Sequence, residues 1–166
     1  MRNETAIIIG ITVFLVAFLA VQHFFPRTEY VVDGIRILSK ENPKNAIARI
    51  AGRADVVMKL EAPGENSSNI CVIQMASEIT KALASVNKTP AIYANDANST
   101  KCLFIGNKSV DCPDGSTKGL ILVQMGSCNC IKIEGSVLEI NGDKRFMCET
   151  ENAKKISSMI GYAVSG

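Results

Sequence analysis

The chain has no tryptophan, one histidine, and only 5% aromatic residues over its 166 positions. The histidine, His23, lies inside an apolar stretch near the N-terminus, where an imidazole suits the membrane interface with its polar tip toward the headgroups. Everything that follows is without imidazole. That excludes a Ser/His/Asp triad, a Cys/His dyad and a histidine-bearing zinc site built from this chain alone. Beyond the stretch, Tyr30, Tyr93, Tyr162, Phe104 and Phe146 are too few and too scattered to stack sugars or bases. An excess of one charge is missing too: 18 basic against 16 acidic residues give +2, which is no electrostatic footprint for nucleic acid. Neither G-x-x-x-x-G-K-[ST] nor G-x-G-x-x-G occurs, so the common phosphate-cradling loops are absent. C-x-x-C is absent as well, and with it the thioredoxin spacing and the zinc ribbon.

The remaining chemistry is that of carboxylates, lysines, tyrosines and thiols. Ser85 and Lys88 match S-x-x-K, in which a lysine lies over a serine on a helix, but they fall at the end of an amphipathic helix without the partner motifs of that chemistry. Asp111 and Asp114 flank Cys112 and Pro113 as loop residues do, and lack the acidic spacing of an EF-hand. No catalytic residue, metal ligand or cofactor is assigned on these grounds.

What the sequence does contain is a run of 20 residues, Ala6 to Phe25, free of Asp, Glu, Lys and Arg. At 1.5 Å per residue such a helix spans about 30 Å, the thickness of a bilayer core. Residues 6–25 are therefore expected to be a transmembrane signal anchor after a short tail, 1–5, with Pro26 ending the helix. A cleaved signal fits less well, because Phe18 occupies a position that a cut after Ala20 reserves for a small residue. Arg27, Arg36 and Lys40 follow the run and only Arg2 precedes it, which by the positive-inside count favours a cytoplasmic domain. That rule is weak for a long following domain.

Cysteine usage points outward. Cys71, Cys102, Cys112, Cys128, Cys130 and Cys148 all follow the run, and an even number behind a secretory segment is the mark of a disulfide framework in an oxidising compartment. Sequons at Asn3, Asn66, Asn87, Asn98 and Asn107 agree, and the last four are candidate glycosylation sites. Six cysteines allow 15 pairings. Cys102 and Cys112 bracket a short loop that a bridge could close, and Cys71 to Cys128 with Cys130 to Cys148 is one arrangement for the others.

About 140 residues follow the run, enough for one domain with its own core. Residues 26–33 read as a linker and 34–166 as the domain. Gly34 to Leu38 suggests a strand, and Asn42 with Pro43 an N-cap and first turn. Asp55 to Leu60 is another strand. Val72, Ala76, Ile79, Leu83 and Val86 then mark a helix whose opposite face carries Cys71, Gln74, Glu78, Lys81 and Ser85. AIYAN and CLFI are strand candidates, and GLILVQM reads as a strand covered on both faces. CIKIEG and SVLEING form a meander, and a last helix begins near Thr150. The alternation predicts a three-layer α/β domain: a mostly parallel sheet, an antiparallel edge meander and a C-terminal helix.

In an open parallel sheet the loops after the strands line one edge, the default ligand crevice. Here those loops are SKEN, EAPGENSSN, ANDANSTK and MGSCN, which makes Glu65, Asn66, Ser67, Ser68, Asn69, Asn95, Asp96, Asn98 and Ser99 the candidate ligand contacts. The functional expectation is a single-pass membrane-anchored extracytoplasmic domain serving envelope structure, adhesion or ligand binding, with an envelope protein or glycan as partner. The alternative is a membrane-tethered thiol-disulfide redox or metal-thiolate protein using Cys71, Cys128 and Cys130.

Overall fold

The computed structural model describes residues 27–62, 66–96, 101–104, 108–111 and 118–166. In chain order they form β1 (Thr28–Val32), β2 (Ile35–Ser39), α1 (Pro43–Ala51), β3 (Val57–Ala62), α2 (Asn66–Ser85), β4 (Ala91–Asp96), β5 (Lys101–Phe104) and β6 (Lys108–Asp111). They continue with β7 (Leu120–Met125), β8 (Cys130–Glu134), β9 (Val137–Gly142), α3 (Lys144–Cys148) and α4 (Thr150–Ser165). The run at 6–25 lies outside the described residues, and among those described no helix is long and apolar enough to cross a membrane.

Local sequence explains most boundaries. Asn42 Oδ1 accepts the backbone N–H groups of Lys44 and Asn45, and Pro43 opens α1 where a missing N–H costs nothing. Asp33 and Gly34 both have positive φ, the geometry of a two-residue hairpin turn, and so β1 folds back on β2. Residues 28–32 are thus an edge strand rather than linker, held from Thr28↔Ser39 to Val32↔Ile35. The alternation that marks a strand is blurred in TEYVV because four of its five side chains are exposed.

The nine described strands make one mixed α/β sheet in the order β1-β2-β8-β9-β7-β3-β4-β5-β6. Its centre is parallel as expected: β9, β7, β3 and β4 run the same way. The β8–β9 hairpin, expected at an edge, is inserted between β2 and β7. Because β8 is antiparallel to β9 and β2 is parallel to β8, β2 runs against the centre. Its following loop, SKEN, therefore sits at the opposite end of the sheet from the loops after β3, β4 and β7.

Among the described residues the domain has two layers, not three. One face of the sheet carries the rows Ile37–Ile131–Ile140–Val123–Leu60 and Ile133–Leu138–Ile121–Met58–Ile92. These pack with Ile47 and Ile50 of α1, Val72, Met75, Ile79 and Leu83 of α2, and Ile156 and Ile160 of α4 in one core. Full burial of each such side chain is worth about 1.5–3 kcal/mol. The helices also pack on one another, α2 with α3 and α4, and α1 with α4, which makes them a single layer. The physical reason lies on the other face. There the row through Lys132, Glu139, Leu122 and Lys59 and the row through Asn141, Gln124 and Glu61 are largely polar and charged, and a second helical layer would have to desolvate them.

Candidate functional site

The central strands end together. Ala62 is in register with Asp96, and Met125 with Gly142, so the connections after β3, β4, β7 and β9 leave one edge of the sheet. Asn66, Ser67, Ser68 and Asn69 belong to α2, whose first turns rise from that edge, and Asn95 and Asp96 close β4 at it. The side chains of these six, and Glu65, Asn98 and Ser99 altogether, lie outside the described residues. So does Asn107, whereas Asn87 is exposed just past the end of α2.

The part of the edge with defined side chains is the turn from Gly126 to Cys130. Gly126 N–H donates to Gly142 O at 2.8 Å, which brings the turn against Asn141. A Cβ on Gly126 would lie 2.2 Å from Asn141 Oδ1, so only glycine permits this approach. The same Oδ1 accepts Cys128 N–H at 3.2 Å. Asn129 follows in the left-handed region at φ 50°. Two fully extended residues would splay Cys128 and Cys130 about 7 Å apart. The left-handed residue folds the chain back, and the two sulfurs form a disulfide across a single residue with Cα atoms 5.2 Å apart. From Cys130 onward the alternation holds, with Lys132 on the polar face and Ile131 and Ile133 in the core.

Asp143 anchors the turn to the next element. It caps α3 by accepting Phe146 N–H at 2.8 Å, and it pairs with the Asn129 amide. The backbone N–H of Phe146, then the Asn129 side chain, hold its carboxyl below the usual aspartate range. At the other end of α3, Cys148 is bridged to Cys71. The pairings Cys71 to Cys128 and Cys130 to Cys148 are therefore replaced by Cys71–Cys148 and Cys128–Cys130. Cys71, expected on the polar face of α2, is buried at 3% exposure and belongs to the core. Periodicity missed it because the stripe at Val72, Ala76 and Ile79 is widened by α3, which packs against α2. Lys101–Phe104 and Lys108–Asp111 pair as an antiparallel hairpin across the loop that Cys102 and Cys112 bracket, but any bridge from Cys102 to Cys112 lies outside the described residues.

The two bridges differ in mechanical weight. Chain entropy assigns about 4.5 kcal/mol to closing the loop between Cys71 and Cys148, separated by 77 residues, and only about 1.5 kcal/mol to a loop of separation 2. The first is a staple between α2 and the end of α3. The second does little to restrain the unfolded chain.

Two further features were not legible in sequence. Glu139 Oε1 on the polar face accepts from Gln124 Nε2 at 2.8 Å, Asn141 Nδ2 at 3.0 Å and Lys132 Nζ at 3.1 Å. Ile70 and Ile73 on the first turns of α2 are 66% and 58% exposed, an apolar pair beside the strand-end edge. Their three-residue spacing was the available signal, masked by the stronger stripe one position away. Among the described residues no three Cys, Asp, Glu or His side chains approach as metal ligands would. Comparison of the chain with protein-family models, with curated proteins and with solved structures finds no match.

Proposed function

We propose that this chain is a single-pass membrane-anchored protein whose α/β domain lies on the extracytoplasmic side and serves as a contact module for an envelope protein or glycan. The observation that carries this reading is the staple between Cys71 and Cys148, placed behind the apolar run at 6–25. A bridge between residues so far apart in sequence persists in an oxidising compartment and is rare in a reducing one. The contact surface is the strand-end edge, at which β3 and β4 end in register and the exposed Ile70 and Ile73 add apolar area, with residues 65–69 and 95–99 as the candidate contacts. Asn66, Asn87, Asn98 and Asn107 are the candidate glycan acceptors.

The test is topological. On intact cells expressing the full chain, an added protease that cannot cross the membrane removes the domain and leaves a membrane-embedded fragment containing residues 6–25. Full protection in intact cells, with digestion only after lysis, would overturn the orientation. Recovery of the chain as a soluble protein lacking its first 20 or so residues would overturn the anchor.

A further inference from the structure

The Cys128–Cys130 bridge combines features that a purely structural disulfide does not need. It spans one residue, so its value as a staple is small. Its two sulfurs are unequal in access: Cys130 is fully buried at 0% exposure, while Cys128 is partly exposed next to the exposed Ser127. Its backbone is held independently of the bridge. Gly126 N–H to Gly142 O, Cys128 N–H to Asn141 Oδ1 and the paired Asn129 and Asp143 all remain when the sulfurs part. In parallel register Arg36 stands beside Cys130 on the same face of the sheet, with its guanidinium paired to the Glu29 carboxylate. Cys71–Cys148 has a similar inequality of access, with Cys71 buried and Cys148 partly exposed, and differs in closing a long loop between two helices.

We propose that Cys128 and Cys130 form a thiol–disulfide exchange site, with Cys128 the sulfur that reacts with an external thiol and Cys130 the buried sulfur that leaves and returns. An external thiolate attacks Cys128 Sγ, the Cys128–Cys130 bond breaks, and Cys130 departs with the electron pair and takes a proton from water. The product is a mixed disulfide between the external sulfur and Cys128. A second thiolate of the same external dithiol attacks the external sulfur of that bond and releases Cys128, which is protonated in turn. The dithiol has then lost two electrons and two protons, and the Cys128/Cys130 pair has gained them. The reverse sequence on a disulfide-bearing molecule reoxidises the pair. Cys71, bridged to Cys148, takes no part.

The inference does not depend on where the domain resides, and its test uses the purified full-length chain. The protein is equilibrated in mixtures of reduced and oxidised glutathione, quenched by alkylation, and mapped by mass spectrometry, which reports each bridge on its own peptides. The expected result is that Cys128–Cys130 opens in protein that keeps its native circular dichroism, roughly tenfold or more faster than Cys71–Cys148. Cys130→Ser is expected to capture one glutathione on Cys128, and Cys128→Ser to leave Cys130 unlabelled until denaturant is added. Opening of Cys128–Cys130 only on unfolding, or at the rate of Cys71–Cys148, would overturn the proposal. The wild-type measurement decides even where a variant does not fold.

Discussion

Asn129 and Asp143 hold each other by two hydrogen bonds: Asn129 Nδ2 donates to Asp143 Oδ2 at 3.0 Å, and Asp143 N–H donates to Asn129 Oδ1 at 2.8 Å. The residue enclosed by the small disulfide ring is thus tied to the N-cap of α3, whose far end carries the large staple. The first bond needs the Asp143 carboxylate as acceptor, whereas the second uses the Asp143 backbone N–H and the Asn129 amide oxygen.

That requirement gives a pH dependence. Asp143 has a lowered native pKa, set first by the Phe146 N–H and next by the Asn129 amide, with Arg145 contributing. A carboxyl whose pKa is depressed on folding adds stability that is present above the unfolded value and lost as pH falls through the native value. Glu151, lowered by its hydrogen bond and ion pair with Lys155, acts in the same direction. Urea midpoints are expected to fall as pH drops below the ordinary carboxylate range, and Asp143→Asn is expected to flatten that fall. An Asp143→Asn profile parallel to that of the wild type would contradict the assignment.

The two bridges are predicted to differ when removed. Cys71→Ala with Cys148→Ala is expected to cost about 4–5 kcal/mol, and Cys128→Ala with Cys130→Ala about 1–2 kcal/mol, by the loop-length dependence of chain entropy. Equilibrium urea unfolding of the two double variants and the wild type measures the contrast.

Gly126→Ala is expected to destabilise by about 1–3 kcal/mol, the cost typical of forcing atoms into a filled site. The new Cβ meets the Asn141 amide and displaces it from Cys128 N–H. Amide exchange at Cys128 should accelerate more than exchange in α4, which locates the damage at the turn.

On the polar face, Glu139→Ala leaves Lys132, Gln124 and Asn141 without their common acceptor. Asn141 is 8% exposed, so little water replaces the lost partner. The expected loss is about 1–3 kcal/mol. Glu139→Gln keeps a carbonyl acceptor and should lose less, with thermal unfolding of both variants as the measurement.

The sequence by itself determined the elements whose signals are local. Asn42 and Pro43 set the start of α1, Ala153, Ile156, Ile160 and Ala163 marked the buried side of α4, and the parallel centre followed from strand–helix–strand alternation around α2. It also determined what chemistry is closed to the domain, because residues that are absent cannot be supplied by folding. Strand direction was not local. Nothing in IRILS says that it runs against its neighbours, and that one reversal moved SKEN to the far end of the sheet. Cysteine pairing was not local either, since any pairing depends on which Cα atoms the fold brings within about 6 Å. Only the tertiary structure turned four of six equivalent thiols into one staple and one small, partly exposed ring. The reason is that bridge geometry is a property of space, while the sequence records only separation along the chain.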